Sequence, residues 1–319
     1  MYKYILRRVL ISIPTIIGIT ILIFIAMRIL PGDPLALIIS EGHGAYVLSE
    51  EELQAARASL GLDQPYHIQY LNWMKDVLKG ELGRSFWTKE PISALIMRRG
   101  PISAQIAIMA VVFSWLVGAP LGMLSALWRN SWFDHLARLG ITLFLAVPAF
   151  WIGLLLILAT VLLLSWRPSL TIVQLTEDPL ANLAMTGLPA LALGLGLSAG
   201  IARFARSSAL EVLHEDYIRT GRAKGLTEQL LVWRHVFKNA MLPVITASAL
   251  ALGGLLGGAV SVEKAFGVPG LGTLLVQALT ERDWSLIQNL VLIYGLIFVL
   301  INLITDISYA WFDPRIRYE

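Results

Sequence analysis

Apolar positions in this chain fall into long unbroken runs separated by short polar stretches. The first run, Val9 to Met27, follows a basic start carrying Lys3, Arg7 and Arg8. Further runs extend over about 102–127, 136–164, 186–204, 242–262 and 286–309. A helix of ~20 apolar residues crosses the hydrocarbon core of a bilayer, and each run is near or above that length. The pattern predicts an all-α integral membrane protein with about six transmembrane helices. The first run is too long for the ~7–15-residue apolar region of a signal peptide, and no small-residue cleavage site follows it. It reads as an uncleaved span ended by Pro31-Gly32-Asp33-Pro34.

The polar stretches divide the chain further. An N-terminal membrane helix occupies 1–30, an extracytoplasmic helical segment 31–98, a membrane core 99–310 and a short tail 311–319. Within 31–98, Ser49 and Glu52 form a capping box that opens a helix closed by Gly61. A second helix follows Pro65, with Tyr70, Leu71, Met74, Val77 and Leu78 at helical spacing, and Gly80 ends it. Pro148 falls inside the third run, where loss of a backbone donor predicts a kink. Gly253, Gly254, Gly257 and Gly258 form two overlapping small-xxx-small pairs in the fifth run, the pattern of close helix–helix approach.

Charge sets the orientation. Lys3, Arg7, Arg8, Arg129, Arg138, Arg203, Arg206, Arg219, Arg222, Lys224, Arg234, Lys238, Arg315 and Arg317 share one side of the predicted topology, while the short loops opposite hold Arg167, Lys264 and Arg282. Basic residues accumulate in cytoplasmic loops, so both termini are placed in the cytoplasm. The bases sit between spans and the net charge is only +3, so they form no nucleic-acid footprint.

The longest charged run in the second half lies in the inner loop 205–241. Glu215 and Asp216 stand where a helix N-terminus is partly positive, and Arg219, Arg222 and Lys224 stand towards the opposite pole. Gly225 follows as a residue free to take positive φ. The order predicts a helix of about two turns over 217–224. Thr227 then caps a second helix that runs to Pro243.

Composition narrows the chemistry. The chain has 319 residues, 56% hydrophobic and 15% charged, and no cysteine, which removes disulfides, thiolate metal sites and cysteine nucleophiles. No P-loop is present, so no ATP hydrolysis by that route is expected of this chain. The histidines at 43, 67, 135, 214 and 235 show no metal-ligand spacing. No catalytic or metal site is predicted. Asp306, near the inner end of the last run, is the exception to a near absence of ionisable residues within spans, and reads as an interfacial or helix-pairing residue.

The run Glu215-Asp216-Tyr217-Ile218-Arg219-Thr220-Gly221-Arg222-Ala223-Lys224-Gly225-Leu226, followed by Arg234-His235, Asn239-Ala240 and Leu242-Pro243, resembles the coupling loop of binding-protein-dependent ABC importer permeases of type I. The branch it is similar to carries dipeptides, oligopeptides and nickel. Arg219, Thr220 and Gly221 stand where the general importer loop has Glu-Ala-Ala, a departure shared with the peptide branch. Gly221 in place of alanine should loosen the helix by up to ~1 kcal/mol. The words Gly61-Leu62-Asp63-Gln64-Pro65 and Leu82-Gly83-Arg84-Ser85-Phe86 resemble the same branch.

The resemblance implies a permease subunit that moves peptides delivered by an extracytoplasmic solute-binding protein. It also implies a second, homologous permease subunit in a heterodimer and two ATPase subunits that bind ATP and magnesium, in the cytoplasmic membrane of a bacterium or archaeon. Glu215, Asp216, Tyr217, Arg219, Thr220, Arg222, Ala223, Lys224, Gly225 and Leu226 would then be the ATPase contacts. The glycines at 253, 254, 257 and 258 would pack against a helix. A nickel chelate, glutathione or an oligosaccharide stays open as the solute. A stand-alone secondary transporter is the competing class, and would need mid-span ionisable residues or paired broken helices.

Overall fold

The structure, a computed structural model, describes residues 2–29, 63–166 and 172–312. The stop at 31–34, the capping-box helix closed by Gly61, Arg167 and the tail 313–319 lie outside these residues. Among the described residues the regular elements are helices: α1 (Tyr2–Ile29), α2 (Tyr66–Lys79), α3 (Ile92–Leu127), α4 (Trp132–Ala146), α5 (Ala149–Leu164), α6 (Pro179–Leu213), α7 (Asp216–Ala223), α8 (Glu228–Leu231), α9 (Phe237–Phe266), α10 (Leu271–Glu281) and α11 (Trp284–Phe312). A π-helical turn, Val232–Val236, joins α8 to α9. Among the described residues four helices are long and apolar enough to cross a membrane, or up to six spans if each of two bent helix pairs counts as one.

The chain divides into two compact units. One comprises residues 9–100 and 274–299. Here α2 ends at Gly80, whose φ of 82° suits a residue without Cβ. Tyr70 and Trp73 pack on Phe24 of α1, with ring centroids 5.4 and 6.3 Å away. Leu71 and Leu78 were expected on this apolar face, but they point outward and are exposed. The buried Asp283 accepts from Ser85 Oγ (2.6 Å), the Phe86 amide (2.9 Å) and the Leu286 amide (3.1 Å). It therefore caps the start of α11 and holds the loop after α2 in place with one carboxylate.

The other unit comprises residues 1–8, 101–273 and 300–319. Its centre is the packing of α3, α5, α6 and α9 around Ile106, Ile152, Met185, Leu193, Val262 and Phe266. Small residues set the spacing. A Cβ on Gly118 would lie 2.5 Å from the Ser198 carbonyl oxygen, and one on Gly122 would fall on the Ala202 carbonyl. Gly153 makes room for the Phe266 ring. Near the N-terminal end of α6, Gln105 of α3 donates to Asn182 (2.5 Å) and Thr186 (3.2 Å), so buried polar groups there are satisfied.

The third apolar run breaks into two helices at Pro148. α4 and α5 meet at 105°. Val147 is extended (φ −93°, ψ 127°), because the ring of Pro148 disfavours α geometry in the residue before it. The helix expected to stop at Pro243 also continues, since that proline lies inside α9.

Candidate functional site

The charged loop folds into a short separate helix, α7, set two residues beyond the end of α6. Glu215 occupies the N-cap position in extended geometry, and Asp216 stands in the first turn, where a negative charge favours the helix dipole. Lys224 is the C-cap, and Gly225 takes φ +80°. The Leu226 amide bonds back to the Gly221 carbonyl at 3.2 Å and closes the helix. The observed bounds differ by one residue at each end from those expected.

One face of α7 is seated. Ile218 is fully buried in an apolar cluster that holds Ala205 and Ala209 of α6, Leu231 of α8, Val236, and Ala119, Met123 and Ala126 of α3. Gly221 is buried too, and a Cβ there would stand 2.7 Å from Leu231 Cδ2. This gives the glycine a packing reason: it lets the α8 leucine come close, whatever it costs in helix propensity. Tyr217 Oη accepts from Asn239 Nδ2 at 2.9 Å and ties α7 to the first turn of α9.

The other face is open. Glu215, Asp216, Tyr217, Arg219, Thr220, Arg222, Ala223, Lys224, Gly225 and Leu226 are all exposed. Within 215–226, the two buried positions are Ile218 and Gly221, neither of which was expected to make contacts. Arg219 pairs loosely with Asp216 at 3.2 Å and remains 78% exposed. Arg222 is different. Its guanidinium grips Glu228 with two bonds, 2.6 and 3.2 Å, and pins the corner between α7 and α8. That hydrogen bonding holds the Glu228 carboxyl below its ordinary range and raises Arg222, while desolvation opposes both shifts weakly.

The glycines expected to pack helices all lie in α9. Gly254 is exposed, and a Cβ there would meet nothing in this chain. The surroundings of Gly253, Gly257 and Gly258 lie outside the described residues, and a close helix–helix approach within the chain is seen at Gly118 and Gly122 of α3. They form a G-x-x-x-G pair whose spacing was visible in the sequence but had not been singled out. Among the described residues no group of three or more His, Asp or Glu side chains is placed to hold a metal ion.

Two family models cover most of the chain. Residues 118–318 match the binding-protein-dependent transport system inner membrane component, and residues 1–107 match the N-terminal part of such a membrane component. The chain belongs to this family. The permease is 40% identical over 323 residues to a protein of Brucella abortus (strain 2308) named as a candidate peptide transport system permease, with both chains covered completely. It is equally 40% identical, over 322 residues and again over both whole chains, to the glutathione transport system permease protein GsiC of Salmonella typhimurium (strain LT2). Among solved structures it is similar to a chain of the inward-facing MetNI methionine ABC transporter, with a TM-score of 0.59 and 19% identity, covering 70% of the permease and 99% of that chain. A chain of an amino acid ABC transporter gives a TM-score of 0.53 at 15% identity, with 68% and 92% covered. The likeness to solved chains is one of fold. The permease is an ABC importer membrane subunit, a multi-pass protein of the membrane.

Proposed function

We propose that this permease moves peptides across the cytoplasmic membrane as one half of a permease heterodimer. An extracytoplasmic binding protein delivers the solute, and two ATPase subunits, which bind ATP and magnesium, drive the cycle. The observation that carries the reading is α7: a separate short helix, buried on Ile218 and Gly221, with a charged face left open at the end of α6. Such a face fits a groove on an ATPase, and the seat beneath it passes displacement into α6. The basic residues that share its side of the topology support a cytoplasmic position for it. Gly254, open towards the outside of the chain, supports the α9 glycines as a packing face for a second permease.

Peptide is the solute class shared by the two named relatives, since glutathione is itself a tripeptide. The test is ATP-dependent uptake of a labelled dipeptide, a labelled tetrapeptide and glutathione by the reconstituted complex. Mutual competition among them supports a peptide pathway. Uptake of none, with uptake of a nickel chelate or an oligosaccharide, would overturn it.

Arg219→Glu is the better probe of the α7 face than Arg222→Glu. Reversal at Arg222 would set two carboxylates against each other in the corner that joins α7 to α8, whereas reversal at Arg219 puts a carboxylate beside Asp216, where both are well solvated and no corner depends on the pair. Like charges placed across an interface cost several kcal/mol, so ATPase retention by Arg219→Glu should fall by at least about tenfold. Co-purification from detergent measures it. Retention equal to wild type would remove Arg219 from the interface.

A further inference from the structure

Asp134 is a completely buried carboxylate in the first turn of α4. All its neighbours are donors. Oδ1 accepts from Ser125 Oγ of α3 at 2.6 Å and from Arg206 Nε of α6 at 2.8 Å. Oδ2 accepts from Arg206 Nη2 at 2.9 Å and from the Asn130 amide at 3.1 Å. Arg138 Nε stands 3.6 Å away on the open side. The fork of Arg206 thus meets the carboxylate in a two-bonded, planar arrangement, which fixes orientation as well as distance.

Position gives this cluster its meaning. Arg206 lies about two turns before the end of α6, just above the helix that carries the exposed charged face. Ser125 lies between Met123 and Ala126, which belong to the same apolar cluster as Ile218 of α7. Asp134 belongs to α4, which also meets α6 through an apolar cluster of Ile141 with Ala199 and Ala202. Beyond α4 the chain turns through 105° into α5, where Gly153 accepts the ring of Phe266 from α9. Among the described residues, the polar contact by which a displacement of α6 meets α4 is the Asp134–Arg206 pair. Apolar packing resists separation but allows sliding, whereas a two-bonded ion pair resists both.

We propose that Asp134 and Arg206 are positioning residues for transport, a clamp that makes the inner halves of α3, α4 and α6 move as one body with α7 and so carries motion to the α4–α5 elbow. The inference rests on the reading of α7 as the ATPase seat. Neither residue is required to touch the solute or ATP.

The experiment compares three forms of the complete importer in proteoliposomes: wild type, Arg206→Lys, and the apolar pair Asp134→Leu with Arg206→Met. Replacing both members of a buried ion pair by apolar residues of similar size commonly leaves folding intact, so the double variant separates assembly from transmission. Assembly is read by co-purification of the ATPase, and transmission by solute moved per ATP hydrolysed. The expected result is normal assembly of the double variant, ATP hydrolysis within about twofold of wild type, and at least about tenfold less solute moved per ATP, a loss of ~1.4 kcal/mol of coupling. Arg206→Lys keeps the charge but loses the fork, and should fall between the two.

A double variant that assembles and transports with the wild-type ratio would overturn the proposal. A double variant that does not assemble would overturn it too, because the pair would then serve folding. Wild type reads the underlying assignment separately: ATP-dependent uptake that is lost when the ATPase is left out upholds the importer reading, whatever the variants do.

Discussion

Gly122→Ile is expected to leave almost no folded permease in the membrane. The Cβ it adds would fall on the carbonyl oxygen of Ala202 and stand 2.8 Å from the Cβ of Ala205, and the isoleucine branches lie beyond. Two backbones form this contact, so no side chain can swing away to relieve it. α3 and α6 would have to separate, and that opens the apolar cluster that also seats α7. Overpacking of a tight core costs about 1–3 kcal/mol where side chains can give way, and this site has less freedom than that. Even 2 kcal/mol changes a folding equilibrium by roughly thirtyfold. Monodisperse yield after detergent extraction measures the effect. Gly140→Ile is the matched control, because a Cβ at Gly140 in α4 meets nothing within the chain, and its yield should stay near wild type.

Ile218→Asp is expected to spare the membrane fold and abolish uptake. Ile218 is the apolar anchor of an eight-residue helix. So short a helix has little stability of its own in water and depends on its seat. A carboxylate in that seat costs several kcal/mol unless it is paired, and the cluster it would enter is apolar, with Ala205, Ala209, Leu231 and Val236 among its members. The least costly escape is for α7 to leave the cluster and melt. α3, α6 and α9 keep their own contacts above it. Extraction yield should therefore hold while ATPase co-purification and uptake fall to background. Ile218→Val, which removes one methylene at a cost of about 0.5–1.5 kcal/mol, should retain most of both. Loss of extraction yield with Ile218→Asp would mean that α7 is needed to build the fold itself.

How much of this was legible in advance depended on whether the cause was local. The bounds of α7 and the end of α2 were, because acids, bases and a glycine act on their own helix, and both Gly225 and Gly80 take positive φ as their places require. The elbow at Pro148 was only half visible. Proline inside an apolar run suggests a kink, and Pro101, Pro120, Pro189 and Pro243 do lie within continuous helices. Only the extended backbone of Val147 separates the case that breaks the chain from those that do not.

The Asp134–Arg206 pair gave no signal at all. Its members are 72 positions apart, and each reads as an ordinary interfacial charge until α4 and α6 are set side by side. Gly118 and Gly122 show the middle case. Their spacing advertises close packing, but the partner helix is a tertiary fact. Gly221 was read as a weakness of the helix, and the space it leaves for Leu231 belongs to a residue ten positions on.

On the proposed function, the open face of α7 meets an ATPase. The chain contains no cysteine, so a single thiol can be placed at will. Arg219→Cys puts it on the open face of α7, and Leu180→Cys puts it in the exposed first turn of α6, at the opposite end of the same pair of helices. Each variant is labelled with a thiol-reactive photo-cross-linker in membranes that hold the complete importer. The expected result is an adduct with a P-loop ATPase from position 219 and none from position 180. An ATPase adduct from position 180, or none from position 219 in a complex that still transports, would contradict it.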